Sequence, residues 1–246
     1  MPMGNPGQFI NNPAEVCIIA PVSGKAGSYT GRDIENNKQR SMELKKVIEG
    51  RSSIRVYKQE SVPLNDLREM VRLGSLAPSV ANFQPWKFII VTNRELMTDM
   101  ATQVARKLEE IPANESKAAK NVRSQVEWFA TFFQDAPALI AVAMEPYESV
   151  LEKGVVMDHD EINRQRNYPD FQSAGACIQN ILLAAVDMNY GACWLSAPMM
   201  AGETLSKMLG LEEKYLLVAF VAVGRPDKVP ARKQSRDIDE MLKVIE

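Results

Sequence analysis

Two guanidinium groups and two hydroxyls fall within five residues at Arg51-Ser52-Ser53-Ile54-Arg55. If the chain is extended from Ser53 to Tyr57, strand alternation sends Arg51, Ser53 and Arg55 to one side. Arginine donates in a planar fork that matches phosphate, and each charge-assisted bond adds about 1.5–3 kcal/mol. Alone, the cluster is also the pattern of a solvated charged turn. A second concentration runs from Ala77 to Trp86, with Pro78, Ser79, Asn82, Gln84 and Pro85. The prolines restrict the backbone, and the two amides carry the donors and acceptors needed to read the edge of a heteroaromatic ring. The plain alternative is a rigid turn with Trp86 in the core. A third group, Arg225, Lys228, Arg232, Lys233 and Arg236, places five cations in twelve residues, offset by Asp227. It reads either as a solvated tail or as the other half of a phosphate grip.

These clusters sit at the ends of regular elements. Ser41 can cap a helix with Leu44, Val47 and Ile48 on one face, and Gly50 stands where a left-handed stop belongs. Pro63 opens a second helix through Leu64, Leu67 and Val71. Lys87–Thr92 reads as a strand, 95–109 and 115–133 as helices, and Ala138–Met144 as a buried strand. Residues 145–169 form a long polar excursion carrying His159. A central helix follows, with Asp170 as cap and Phe171, Ala174, Ile178, Ile181, Leu182 and Ala185 in helical register. Strands at 192–195 and 216–223 flank a helix near 203–209. The pattern is α+β over residues 41–246, preceded by an irregular Gly-, Pro- and Asn-rich extension at 1–40.

Composition narrows the chemistry. The chain has 246 residues, 29 Lys plus Arg and 31 Asp plus Glu, for a net charge of −2. No overall field draws it to nucleic acid or to an anionic bilayer. Three cysteines without a CxxC and a single histidine argue against a disulfide framework or a zinc site, leaving the cysteines as reduced, buried residues. No run approaches the roughly 20 apolar residues of a membrane span, and Val16–Val22 lacks the basic flank of a signal peptide, so a cytoplasmic protein is expected. The Asn114 sequon is read as chance, and the Ser23–Ser28 stretch misses phosphate-loop spacing. No GxGxxG follows a strand.

In this order, and about twenty-five residues apart, the first two clusters resemble the nitroreductase family of FMN-dependent oxidoreductases. Its opening pattern, Arg-Arg/Ser-Ser-x-Arg, is met by Arg51, Ser52, Ser53 and Arg55; Pro-Ser-x-x-Asn-x-Gln-Pro-Trp is met from Pro78 to Trp86. The stretches 191–195 and 223–226 also resemble the family. The resemblance implies a central, mostly antiparallel sheet flanked by helices, in an intertwined homodimer with FMN at the interface. It implies that Arg51, Ser52, Ser53 and Arg55 contact FMN, with Arg51 and Ser53 toward the phosphate and ribityl chain. Arg55 would lie near the N1/C2-carbonyl side, where a cation stabilises anionic reduced flavin. Pro78, Ser79, Asn82 and Gln84 would line the flavin, partly that of the other subunit. Leu195 and Ser196 match the stretch near N5, and Arg236, helped by Lys233, matches a late phosphate cation. Ser52 departs from the second arginine of many members, and Arg225 stands where an aromatic residue is common.

The resemblance further implies hydride transfer from NADH or NADPH to the flavin and on to a small organic acceptor, with no catalytic protein side chain and no metal. Nitroaromatics, quinones, activated alkenes and free flavins all fit such an acceptor. Iodotyrosine-dehalogenating relatives use a lid with Glu, Tyr and Lys, and residues 94–135 contain no Tyr. The alternative is a flavin-binding sensor or storage protein of the same fold without significant turnover.

Overall fold

The structure is a computed structural model that describes residues 42–112, 116–146, 151–231 and 235–246. The expected extension at 1–40, the Ser41 cap, Cys17, Asn114 and Lys233 lie outside these residues. Among the described residues of the unit Ser41–Glu246, seven α-helices and four strands follow the chain. They are α1 (Leu44–Gly50), α2 (Leu64–Ser75), β1 (Trp86–Val91), α3 (Arg94–Glu109), α4 (Lys117–Thr131), β2 (Ala138–Met144), α5 (His159–Gln165), α6 (Pro169–Asp187), β3 (Gly191–Leu195), α7 (Gly202–Met208) and β4 (Leu216–Gly224). The strands form one antiparallel sheet in the order β1-β2-β4-β3, the α+β class expected.

β2 is buried along its whole length, so its two side-chain rows serve two cores. Leu139, Ala141 and Ala143 join Met97, Met100 and Val104 of α3 with Phe133 and Phe220. Ile140 and Val142 face the other way, toward Leu67 and Met70 of α2 and Ile178, Ile181 and Leu182 of α6. Gly74 makes the α2–α6 contact close, since a Cβ there would lie 2.4 Å from Ile181. Polar side chains open several helices: Asn93 accepts from the Leu96 amide (3.1 Å), Ser116 from Ala119 (3.2 Å) and Asp158 from Glu161 (2.8 Å).

Several expectations are corrected. Gly50 ends α1 without entering the left-handed region, because the chain passes directly into extended backbone at Arg51. Only Val47 of the expected α1 face is buried; Leu44 and Ile48 are exposed. Asp170 does not cap α6. Tyr168, in left-handed backbone, holds the cap position, while Asp170 lies buried in the first turn and Phe171 is exposed. The polar excursion contains α5, which buries only Ile162 and Asn163 and therefore shows little apolar periodicity.

Candidate functional site

The Arg51–Arg55 run is built onto the free edge of the sheet. Ser53 bridges Ala192 in parallel, and the Ile54 amide donates to the Ala192 carbonyl at 3.1 Å. Gly191 allows this approach: a Cβ there would stand 2.6 Å from Ile54. Two residues on, the buried Tyr57 hydroxyl donates to the Ile54 carbonyl (2.6 Å) and to that of Ala222 (3.2 Å), stapling the run to β4. Burial raises the Tyr57 hydroxyl well above the usual phenol range. The Lys58 amide then bonds to the Arg225 carbonyl and the Asp227 amide to that of Val56.

This pairing gathers Arg51, Ser53 and Arg55 around Cys193 of β3, as strand alternation requires. Burial raises the Cys193 thiol; the Arg55 charge, hydrogen bonding from Ser53 and Arg55, and the Arg51 charge act in the opposite direction. Arg55 also contacts the Ser53 carbonyl at 3.4 Å and lies 5.2 Å from the centre of the Phe129 ring on α4. Phe129 and the adjoining Trp128 are exposed and meet edge to face at 4.9 Å. Neither Cys193 nor this aromatic wall was singled out by sequence reasoning. The strand register through Leu195 placed Cys193; nothing local in α4 pointed to Arg55. Ser52 is half-buried. Because Ser53 and Ala192 pair in parallel, the run advances in the direction of β3, whose end carries buried Leu195 and exposed Ser196.

The second cluster is a self-bonded exposed loop. The Ser79 hydroxyl accepts from the Gln84 amide at 2.9 Å, and the Gln84 side chain donates to Asn82 Oδ1 at 3.3 Å. Ala81, Asn82 and Gln84 all adopt left-handed backbone, with φ of 50, 55 and 53°. Non-glycine residues in that region cost of order 1–3 kcal/mol each, and such strain clusters at functional sites. Pro78 is exposed beside them, and Trp86 begins β1 half-buried. The sheet order puts β1 three strand spacings from β3, roughly 14 Å. One chain therefore holds its two motifs on opposite edges of the sheet.

The third cluster divides. Arg225 stacks over Tyr190 at 4.1 Å and donates to the Asn189 carbonyl at 2.8 Å, closing the end of α6. Arg236 lies in the exposed tail with its guanidinium 3.6 Å from Glu240.

The succession of these motifs along the chain has a counterpart in known proteins: a family model described as the nitroreductase family matches residues 48–225. The chain belongs to the nitroreductase family. With it, the chain belongs to the oxidoreductases. YfhC of Bacillus subtilis (strain 168), provisionally named an NAD(P)H nitroreductase, is 25% identical over 79% of this chain and 90% of its own. An iodotyrosine deiodinase of Nematostella vectensis is 26% identical over 79% of this chain and 71% of its own. Among solved structures, a BluB-like flavoprotein from Clostridium difficile 630 superposes with a TM-score of 0.74 and 27% identity, covering 83% of this chain and 100% of that one. A nitroreductase with bound FMN from Desulfitobacterium hafniense DCB-2 shares the fold at a TM-score of 0.64 and 24% identity, over 83% and 100%. No helix of the described residues is long and apolar enough to cross a membrane.

Proposed function

We propose that residues 41–246 form an FMN-dependent oxidoreductase that takes hydride from NADH or NADPH and delivers it to a small organic acceptor in the cytoplasm. The observation that carries this reading is the gathering of Arg51, Ser53 and Arg55 on one face beside β3. Two guanidiniums and a hydroxyl fit the dianionic phosphate and hydroxylated chain of FMN, while the amides of Asn82 and Gln84 fit its ring edge. Bound FMN supplies reversible two-electron hydride chemistry at its ring.

Arg51 and Ser53 hold the phosphate end, and Ser52 adds a hydroxyl at the same turn. Arg55, further along the run, faces negative charge at the ring with a permanent cation. Leu195 and the Ser196 backbone close the far end of β3. Pro78, Ser79, Asn82 and Gln84 stand across the sheet, so a second copy of the chain brings them to the first copy's Arg51 run. The site is accordingly that of a homodimer. The tail supports this: Ile238, Met241, Leu242 and Ile245 are all more than half exposed. Arg236 lies in that tail, and on this reading Arg236 and Lys233 add phosphate cations on assembly.

The test is direct. Purified protein is expected to be yellow, to release FMN on denaturation, and to bleach anaerobically with NADH or NADPH. A panel of nitroaromatics, quinones, activated alkenes, free flavins and iodotyrosine then identifies the acceptor. Colourless protein that takes up no FMN overturns the reading, whereas yellow protein that no nicotinamide bleaches makes it a flavin store.

A further inference from the structure

Tyr57 follows the Arg51–Arg55 run by two residues and is buried, with its hydroxyl reaching back along the chain. A phenol carries one proton. It points at the Ile54 carbonyl at 2.6 Å, and the Ala222 carbonyl of β4 shares it at 3.2 Å. Ile54 is thereby held on both sides of its backbone: its amide donates to the Ala192 carbonyl of β3 at 3.1 Å, and its own carbonyl accepts from the hydroxyl. That carbonyl lies in the same rigid plane as the Arg55 nitrogen and Cα. Its direction therefore sets the line on which the Arg55 side chain leaves the sheet edge. The Tyr57 ring is itself boxed in. A Cβ at Gly224 would lie 2.9 Å from Tyr57 Cδ1 and 2.6 Å from Pro137 Cδ, and Tyr57 pairs with Pro226 in an antiparallel bridge. Arg55 also meets the Ser53 carbonyl at 3.4 Å and the Phe129 ring at 5.2 Å, contacts made by the end of its side chain.

We propose that Tyr57 is a positioning residue of the site: its hydroxyl fixes the Ile54–Arg55 peptide and so aims the Arg55 guanidinium at the flavin ring. This rests on FMN being the ligand of the Arg51 run. Being buried, the hydroxyl acts through Arg55 and not on the ligand. Packing comes from the ring, which phenylalanine would supply equally; the aim comes from the oxygen. Without it, the Ile54 carbonyl loses its donor, and a carbonyl so deprived turns its peptide toward another one. Burial raises the phenol, so the hydroxyl keeps its proton at a pH where an ordinary tyrosine begins to lose it.

Tyr57→Phe removes the oxygen and keeps the ring. In the full chain without FMN, the Ile54 amide is expected to exchange about tenfold faster relative to the amides of Leu139–Val142, whose rates report global opening. With FMN bound, affinity is expected to fall about tenfold. The flavin midpoint potential is expected to shift downward, because a misaimed cation favours negative charge at the ring less. Arg55→Gln is expected to shift it the same way, and the two variants combined to lie no lower than Arg55→Gln alone, since Tyr57 acts through the missing guanidinium. A merely structural hydroxyl would lower the melting temperature and leave the potential in place. That result, additive potential shifts, or an unchanged relative exchange of Ile54 overturns the proposal. If the unaltered chain takes up no FMN, the aim at a flavin falls with that reading, and Ile54 exchange by itself decides the hold on the peptide. Should Tyr57→Phe not fold, NMR of the unaltered chain replaces it: a Tyr57 hydroxyl proton in slow exchange with water supports the bond, and rapid exchange overturns it.

Discussion

Arg51, Ser53 and Arg55 bring two permanent charges beside a thiol that burial would otherwise isolate. The energetic consequence falls on ligand binding. Arg51→Ala together with Arg236→Ala is expected to abolish stoichiometric FMN binding, since each lost charge-assisted bond weakens affinity by about tenfold to a hundredfold. Flavin fluorescence titration measures the loss, and unchanged circular dichroism shows that the fold survives. Retained flavin in the double variant would remove the phosphate role from these residues. Arg225 illustrates the opposite outcome for a cation of the same region. Its stacking on Tyr190 and its bond to Asn189 make it a helix-end clamp, and Arg225→Ala is expected to lower stability rather than flavin affinity. Thermal melts beside the same titration separate the two effects.

At the scale of elements, close approaches decide what can move. Gly191→Ala would place a methyl 2.6 Å from Ile54 Cγ1 and 2.8 Å from its Cβ, and both neighbours are held by backbone bonds. The Arg51–Arg55 run must then shift from β3, at a cost of about 1–3 kcal/mol. Urea denaturation should register that cost, and flavin affinity should fall with it. Cys177 belongs to the α2–α6 interface, where burial pushes its thiol from an ordinary 9.0 up to about 12. The unfolded chain releases this proton above pH 9 while the folded chain keeps it. The stability gained from the neutral buried thiol is therefore complete below pH 9 and is lost as pH rises toward 12. Raised Tyr57 and Tyr190 hydroxyls act in the same direction. Cys177→Ala is expected to flatten the decline in melting temperature between pH 8 and pH 11 relative to the unaltered chain.

These elements were legible to different degrees. α2, α3 and α6 carry sustained apolar periods, and β2 and β4 are apolar runs, so their boundaries fall within a few residues of expectation. α5 was not legible. Seven residues with two buried side chains give no periodic signal, and the carboxylates that meet His159, Glu152 and Asp170, stand outside the helix.

For the whole molecule, the expected outcome is a solution mass of about twice 27.5 kDa. Light scattering decides it, and a monomer holding stoichiometric FMN would contradict a shared site. Removing residues 235–246 should weaken the proposed dimer, because it deletes the exposed apolar side chains of the tail.

The amino-acid sequence by itself determined the residue types at the Arg51–Arg55 run, the amide-bearing loop and the α+β character, because these depend on short-range spacing and local periodicity. Only the tertiary structure decided that Cys193 lies among Arg51, Ser53 and Arg55, that the two motifs occupy opposite sheet edges, and that His159 bridges two carboxylates. Those facts follow from pairings between residues far apart in the chain. The register of such pairings is fixed by packing on both faces of the sheet, and no local stretch encodes it.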